Sequence, residues 1–445
     1  MRVCGRRVGS GGGAIVGIAI CLMASPARGQ EPPPGRPAEQ PPPVTEPAPG
    51  LQRPPVGAYP LELLGLLAPP AQRGPVTLTP SISVSEEYND NLFFNNQDRQ
   101  RDFITGFSPT ITLFINRPSY QVNGGYSFTA ELYERESRLN NALNRQSFFG
   151  TGLYRATPRL TLTASETYAV NRNTNLVASQ GFATGRQESL SNTFGPGLTY
   201  QMTPGTSLSL GATYGLLRFK GAATDGAGTA GAGTASDSDT YGLQSSLAHV
   251  LTPRLTGTIG YGFTYLTEQG QENSTTHTPT LGVTYRLTPM LTGSVSGGPA
   301  ITELGGETFV SPAATASLVQ GLAFGSASAR YVRSVGAAGG FGGTTDIQTI
   351  SGTLTLPTLR RGLLVVFDTT YNTAESVSSR QTQQVDVKAL TLNLQVTYQI
   401  ASFASVFGGY TFFQQRTTGS SSVQFDADQN RVRFGLQFGY PINFD

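Results

Sequence analysis

The feature that most constrains the fold is a two-residue alternation at the C-terminal end of the chain, from Asn430 to Asp445. Apolar side chains occupy every second position there, and small, polar or charged residues stand between them, apart from Pro441. The apolar members are Val432, Phe434, Leu436, Phe438, Tyr440, Ile442 and Phe444. Because successive side chains of a β-strand point to opposite faces, this period predicts a strand with one apolar face and excludes a helix.

The composition indicates where such a strand is used. Charged residues make up 13% of the chain, against about 25% in an average soluble domain. Apolar residues reach only 38%, and 54 of the 445 residues are glycine. A membrane-spanning barrel tolerates this composition because only alternate residues face lipid, and pairing the last strand with the first leaves no open edge. The sequence therefore predicts an all-β fold, a transmembrane antiparallel up-and-down β-barrel.

The N-terminal part of the chain predicts export. Residues 1–29 combine a basic start, an apolar run at 14–24 and the small-x-small site Ala27-Arg28-Gly29, as in a Sec-type secretory signal peptide. Both cysteines, Cys4 and Cys21, lie in this segment. Residues 30–75 are rich in proline, which predicts an extended, largely disordered periplasmic arm. The barrel is then expected to occupy residues 76–445.

Two kinds of connection alternate along residues 76–445. Short turns containing proline occur at 117–119, 157–159, 203–205, 252–254, 288–290 and 356–358. Long polar connections occur at 89–101, 134–144, 172–188, 220–238, 268–276, 336–344, 375–386 and 415–428. With proline-free turns at 319–323 and 400–403, this pattern predicts about eighteen strands, with about sixteen as the alternative.

Several prolines fall inside the proposed strands. They are Pro80, Pro109, Pro196, Pro299 and Pro312. Proline cannot donate to a strand ladder, so the pairing at these positions is expected to be interrupted or bulged. The stretch 293–329 alternates most weakly and is the least defined part of the predicted barrel.

Two short motifs resemble known outer-membrane proteins. The opening segment, Tyr88-Asn89-Asp90-Asn91-Leu92-Phe93 followed by Asp102-Phe103-Ile104-Thr105, resembles the start of the β-barrel porin-2 family. That resemblance implies an outer-membrane barrel often associated with exopolysaccharide or capsule export. From the residues alone, Tyr88 to Asn91 is equally a polar loop start whose side chains bond the local backbone.

The C-terminal strand is similar to the signal that the bacterial barrel assembly machinery recognises. An alternating apolar strand ending on an aromatic residue is typical of that signal, and here it comprises Phe438, Tyr440, Ile442 and Phe444. Asp445 follows the last aromatic residue, which departs from the usual pattern. The resemblance implies the assembly machinery and outer-membrane lipid as partners, in the outer membrane of a Gram-negative bacterium.

The alternation also predicts which side chains point inward. Projecting it onto the barrel places six charged residues in the lumen as pore-lining candidates: Glu87, Glu131, Arg286, Asp368, Arg431 and Arg433. They could set a transverse field that selects solutes by charge, or pair with one another and stabilise the wall. Four aromatic residues at strand ends are predicted to form interfacial girdles, or alternatively to stack sugars: Tyr133, Tyr168, Tyr265 and Phe413.

The sequence contains little that predicts catalysis. The two histidines, His249 and His277, fall at opposite ends of a strand pair, so no two-histidine metal site is expected. Cysteine chemistry is excluded from the exported chain, no cofactor is implied, and removal of residues 1–29 leaves a nearly neutral protein with no feature for nucleic acid. The expectation is a non-enzymatic, water-filled pore for hydrophilic solutes; the alternatives are a plugged scaffolding barrel and an outer-membrane hydrolase.

Overall fold

The computed structural model describes residues 75–171, 181–183, 188–220, 235–337, 341, 343–377, 385–419 and 426–444. The predicted signal peptide and all but the last residue of the predicted arm lie outside these ranges. No helix in the described part of the chain is long and apolar enough to cross a membrane. The helical structure described is a single 3-10 turn, Ser137–Leu139.

Almost all described residues form long strands. Their bounds are β1 (Val76–Asn89), β2 (Asp102–Asn116), β3 (Tyr120–Tyr133), β4 (Asn141–Thr157), β5 (Leu160–Asn171), β6 (Glu188–Thr203), β7 (Thr206–Lys220), β8 (Ser238–Thr252), β9 (Leu255–Glu268), β10 (Ser274–Thr288), β11 (Leu291–Leu304), β12 (Glu307–Leu322), β13 (Gly325–Ala337), β14 (Thr344–Arg360), β15 (Leu363–Ser376), β16 (Val385–Ala401), β17 (Ala404–Gly419), β18 (Ala427–Gly439) and β19 (Ile442–Phe444).

The strands form one closed antiparallel sheet. Each strand from β1 to β18 pairs with its neighbours in this series, and β1 also pairs with β18 and β19, which closes the ring. The strands β18 and β19 are two pieces of a single crossing of the barrel wall, or stave, because Tyr440 and Pro441 interrupt it opposite Pro80. The carbonyl of Pro80 accepts a hydrogen bond from Tyr440 N at 3.1 Å. The fold is therefore the predicted transmembrane up-and-down β-barrel with eighteen staves.

All but one of the short connections lie at one end of the barrel, together with the start of β1 and the end of β19. Five of the six proline-marked turns are confirmed, and the one predicted at 356–358 is wrong. There β14 continues to Arg360, and the turn is formed by Arg361 and Gly362, whose φ is +79°. The β14–β15 register shifts between Leu356 and Arg360, so the missing donor of Pro357 is absorbed by an irregularity within the strand.

The opposite end carries the long connections and one short connection that the sequence pattern did not predict. Gly305 and Gly306 join β11 to β12 with φ values of +59° and +77°. Both values lie in the left-handed region that glycine adopts without strain, so two residues are enough to reverse the chain. This hairpin therefore ends in a tight turn, whereas most connections at this end are long.

The two faces of the wall differ as the alternation predicts. Large apolar side chains on one face of each strand are exposed to the outside, among them Val84, Phe107, Leu394 and Phe434. Intervening residues on the other face are often buried, as Gln395 and Arg433 are. The candidate assembly residues Phe438, Tyr440, Ile442 and Phe444 are all exposed on the outer face at the short-turn end. An apolar outer surface of this kind is suited to contact with lipid.

Two of the four predicted girdle residues are on the wrong face. Tyr133 and Phe413 are both buried, and they pack against residues from the connections at the long-loop end. Tyr168 and Tyr265 share the outward parity of Leu162 and Ile259 on their strands, as a girdle requires. The reason for the error is that an aromatic residue at a strand end can pack beneath an inward-folded loop as well as at a membrane interface.

Strand β16 offers a direct test of the two faces. We expect Leu394→Arg to lower the folded fraction in lipid vesicles far more than Asn393→Arg, because an arginine that faces lipid costs roughly 2–4 kcal/mol near the bilayer midplane. Asn393 points inward beside Asp368, its partner on β15, so an arginine there meets an opposite charge. Refolding yields in vesicles measure both variants, and an equal loss would contradict the assigned faces.

Candidate functional site

Charged side chains gather on the inner face of the barrel near its seam. Glu87 lies on β1, Glu131 on β3, Arg145 on β4, and Arg431 and Arg433 on β18, and all five are buried. Ring closure makes β18 the neighbour of β1, so residues more than 300 positions apart in sequence share one stretch of wall. We call these five residues the charged wall.

Glu131 has the best-satisfied carboxylate of the charged wall. Its Oε1 lies 2.6 Å from Arg145 Nη2, and the two side chains are only 3% and 7% exposed. Its Oε2 accepts a hydrogen bond from the Tyr133 hydroxyl at 2.6 Å. Both oxygens therefore have a short, charge-assisted or hydroxyl partner, which is the arrangement that a buried carboxylate requires.

Arg431 and Glu87 form a looser pair. Arg431 Nη1 is 3.9 Å from Glu87 Oε1, and the side chains are 9% and 6% exposed. Within the described residues, Arg431 Nε and Glu87 Oε1 have no hydrogen-bond partner. The two side chains are therefore held by charge attraction across 3.9 Å rather than by a direct hydrogen bond between these atoms.

Arg433 lies across two strands. Its Nε and Nη2 donate to Ser85 Oγ on β1 at 3.0 and 2.8 Å, and its guanidinium carbon is 5.7 Å from the centre of the Phe407 ring. The adjacent position on β2 is Gly106, where a Cβ would lie 2.9 Å from Ser85 Oγ and 3.8 Å from Arg433 Nη2. A glycine there leaves room for the arginine to cover the wall.

The structure brings together four of the six predicted lumen residues and separates the other two. Asp368 is buried on β15, where its Oδ1 accepts a bond from Thr353 Oγ1 at 2.9 Å. Arg286 is exposed near the short-turn end of β10. Sequence reasoning missed Arg145, although its two-residue spacing from the inward Ser147 on β4 is the signal that could have identified it.

A second group of inward residues lies at the long-loop end. Phe94, from the β1–β2 connection, packs edge-on against Phe413 with ring centres 5.8 Å apart. Phe182 and Phe341, from the β5–β6 and β13–β14 connections, pack edge-on at 6.2 Å. We call this group the mouth cluster; its buried members are Phe94, Phe182, Ala183, Phe341, Ala374, Val387, Ala389, Phe413 and Ala427.

Hydrogen bonds hold two of these connections inside the ring. Gln415 on β17 accepts from Ala183 N and donates to Ala183 O, both at 2.9 Å. Gly343 N donates to Glu268 Oε2 at 2.5 Å, which ties the β13–β14 connection to β9. Since β5 and β6 are far from β17 around the ring, as β13 is from β9, the described residues of both connections lie inside the mouth.

The conformation of Phe94 shows that the first connection is also directed inward. Phe94 has a φ of +58°, the only positive φ of a non-glycine residue in the described part of the chain. A bulky side chain in the left-handed region is strained, and packing must compensate for that strain. The buried contact with Phe413 provides this packing.

The opening motif joins the first strand to the last. Asn91 N donates to Asn89 Oδ1 at 3.0 Å, which is the local backbone bond predicted from the residues. Asp90 in addition accepts from both the backbone and the side chain of Asn430, each at 2.7 Å. Asn91 Nδ2 donates to the carbonyl of Asp428 at 2.9 Å. The motif therefore stabilises the seam at the mouth.

Release of the mouth cluster should be measurable. We expect Gln415→Ala to raise single-channel conductance or the frequency of open states, because both bonds to Ala183 are lost and the β5–β6 connection can leave the mouth. Gln414→Ala is the matched control, since Gln414 is adjacent and bonds Asp428 instead. Conductance traces identical for Gln415→Ala and wild type would show that this connection does not limit the passage.

The structure does not assemble a metal or nucleophile centre from the predicted histidines. His249, near the short-turn end of β8, lies 2.8 Å from Thr206 Oγ1 through Nδ1. His277, near the long-loop end of β10, lies 2.6 Å from the Tyr261 hydroxyl. The two histidines are therefore far apart, as predicted. Within the described ranges, no group of three or more His, Cys, Asp or Glu residues could hold a metal ion.

Comparison with known proteins gives structural similarity alone. No family model and no curated protein matches the chain. Among solved structures, OpdO of Pseudomonas aeruginosa is 13% identical, covering 82% of this chain and 97% of its own at a TM-score of 0.41. OccAB4 of Acinetobacter baumannii is 11% identical, covering 84% and 100% at 0.41. The siderophore receptor PirA of Pseudomonas aeruginosa is 9% identical, covering 82% and 80% at 0.40.

The barrel itself agrees with the resemblance noted in the opening motif. The strand ladders of this chain establish an all-β ring of eighteen staves with an apolar outer face and charged residues on the inner face. This is the architecture that similarity to the β-barrel porin-2 family implies.

Proposed function

We propose that the protein is an outer-membrane channel that passes hydrophilic solutes through the lumen of the barrel. The observation that carries this proposal is the closed ring of eighteen staves whose outer face is apolar and whose inner face is polar and charged. About eighteen strands enclose more space than their own side chains can fill, so such a ring has a lumen.

The charged wall supplies a fixed field along one side of this lumen. Three arginines and two glutamates share a small area, and the arginines Arg431 and Arg433 approach from the same strand. Charges held in a low-dielectric wall act on a passing ion more strongly than charges in water. This local excess of positive charge favours anionic solutes over cationic ones.

The proposed location is the outer membrane of a Gram-negative bacterium. The Sec-type pattern of residues 1–29, the exposed C-terminal residues that resemble the assembly signal, and the apolar outer face support it together. The partners proposed with this location are outer-membrane lipid and the barrel assembly machinery. With the usual topology, the short turns and the arm at residues 30–75 face the periplasm.

The solute is proposed from the resemblance alone. Similarity to the β-barrel porin-2 family suggests an exported polysaccharide, or its export complex, as the partner. Deletion of the gene, followed by measurement of secreted polysaccharide, tests this point. Secretion unchanged in the deletion strain would remove polysaccharide export and leave the general channel in place.

The mouth cluster favours a second candidate function. Phenylalanines from three connections are buried inside the mouth, and two of these connections are tied to distant strands. Such an arrangement suits a barrel that is closed at rest and serves as a scaffold, with its loops or arm binding partners. An enzymatic role is not proposed.

Conductance of the purified protein in a planar bilayer distinguishes the two functions. The channel proposal expects discrete current steps and a reversal potential that shows anion preference. A protein that is folded by its spectrum but electrically silent, both as wild type and as Gln415→Ala, would favour the scaffold. The variant is needed because a closed mouth in the wild type does not exclude a channel.

A further inference from the structure

One strand–strand interface of the barrel wall is paired along only part of its length. The strands β12 and β13 pair from Ala314 with Arg333 to Leu322 with Gly325, at the short-turn end. Beyond Ala314, residues 308–313 of β12 pair with β11 and residues 334–337 of β13 pair with β14, but within the described chain these two edges have no ladder pair with each other. The wall therefore lacks a β12–β13 ladder between residues 310–313 and 334–337, and we call this unpaired stretch the split.

A row of prolines accounts for the split. Pro299 on β11 pairs directly with Pro312 on β12, so the backbone nitrogen of Pro312 points away from β11 and toward β13. Proline has no hydrogen on that nitrogen, so the bond that would continue the β12–β13 ladder above Ala314 cannot form.

The β10–β11 interface also loses ladder pairs beside a proline, but over a shorter stretch. The β10–β11 ladder is interrupted between His277 and Leu281, where Pro279 stands opposite Pro299. It then closes again from His277 to Ser274. The β12–β13 ladder does not resume within the described residues, which on β13 end at Ala337.

The edges of the split combine apolar and polar groups. On the outer face, Val310 is 68% exposed and Pro312 is exposed. The residues at the split, 310–313 and 334–337, carry no charged side chain. The backbone N–H and C=O groups of these residues that point toward the split have no ladder partner there, and this is costly in contact with hydrocarbon alone, since lipid tails cannot hydrogen-bond. A molecule with a polar head and an apolar tail satisfies both parts of such an edge.

The direct route out of the lumen at this end is restricted. The β13–β14 connection runs inward to Glu268 on β9 through Gly343, and the β5–β6 connection runs inward to Gln415. The split lies at the root of the first of these connections, below the crossing. The unpaired edges of β12 and β13 therefore lie beside this restricted mouth.

We propose that the split between β12 and β13 is a lateral port through which an amphiphile bearing a long acyl chain moves between the lumen and the outer leaflet. During passage its polar head bonds the unpaired backbone edges, while the part of the acyl chain that is outside the lumen lies in lipid. This port is independent of the axial channel, because either opening can exist without the other.

Fluorescence quenching tests whether lipid-borne molecules reach the lumen here. After residue 21 the chain has no cysteine, so a bimane label can be attached to Ala313→Cys alone. Thr264→Cys on β9 is the matched control, because it also faces inward but has continuous ladders on both sides. The quencher is a long-chain fatty acid with a nitroxide on its tail, added to vesicles that contain the labelled protein.

We expect quenching at Ala313→Cys to exceed that at Thr264→Cys several-fold, whereas iodide added to the water quenches both similarly. A disulfide across the split, formed between Ser311→Cys and Gly336→Cys, should remove the difference. In this variant the bimane is attached to an unnatural amino acid at position 313, because the cysteines are used for the disulfide. A disulfide between Thr315→Cys and Val332→Cys, in the paired part of the same interface, should leave the difference in quenching unchanged.

Restoring the missing donor provides a second test that needs no cross-link. Pro312→Val can donate toward β13, so it should extend the ladder and reduce nitroxide quenching at position 313. Equal quenching of the two label positions in the wild-type background would overturn the port. Bilayer conductance of the same proteins is recorded separately, so loss of current steps tests the channel and loss of differential quenching tests the port.

Discussion

Arg431→Glu should prevent the barrel from folding or reduce its stability by more than about 3 kcal/mol, the lower end of the cost of breaking a buried ion pair. Arg431 is almost fully buried and faces Glu87 at 3.9 Å. A glutamate at this position leaves Glu87 without its cation and adds a second carboxylate beside it. Urea denaturation of the protein in vesicles measures the change. Unfolding is followed by tyrosine fluorescence, since the chain has no tryptophan, or by gel mobility.

The charge swap separates this effect from a loss of size or shape. Glu87→Arg combined with Arg431→Glu restores opposite charges on β1 and β18, so we expect it to recover most of the lost stability. Arg286→Glu is the control, since Arg286 is exposed and lies away from the charged wall. A swap no more stable than the single variant would mean that the pair does not act as a pair.

Glu131→Ala should be the second large loss, about 3–5 kcal/mol, because it leaves the buried guanidinium of Arg145 without its carboxylate. The pair is short, at 2.6 Å, and both side chains are less than 10% exposed in the structure, at 3% and 7%. The Tyr133 hydroxyl loses its acceptor as well. Equilibrium unfolding in vesicles measures the difference from wild type.

A double-mutant cycle isolates the pair from the other contacts of Glu131. Arg145→Met keeps much of the side-chain volume, so Glu131→Ala combined with Arg145→Met should cost clearly less than the sum of the single changes. Tyr133→Phe measures the hydroxyl bond by itself, and we expect about 1–2 kcal/mol for it. Strict additivity of the two charged-residue variants would contradict the assignment of a coupled buried pair.

Much of the fold follows from local sequence patterns. The alternation from Val432 to Phe444 marks a strand with one lipid-facing side. The short turns and long connections together predicted about eighteen strands, which the structure confirms. These features are local consequences of backbone geometry: a strand repeats every two residues, and proline ends a ladder. The same rules identified Glu87, Glu131, Arg431 and Arg433 as inward-facing residues.

The tertiary structure decided which inward residues meet. Ring closure places β18 beside β1, so Arg431 meets Glu87, and the β5–β6 connection reaches Gln415 on a distant strand. Alternation assigns a face to each residue but no partner, because register and loop direction depend on the whole ring. For this reason Tyr133 and Phe413 were assigned to the wrong surface. The split at Pro312 could be identified only once the neighbouring strands were known. A missing backbone donor matters only where a partner strand needs it.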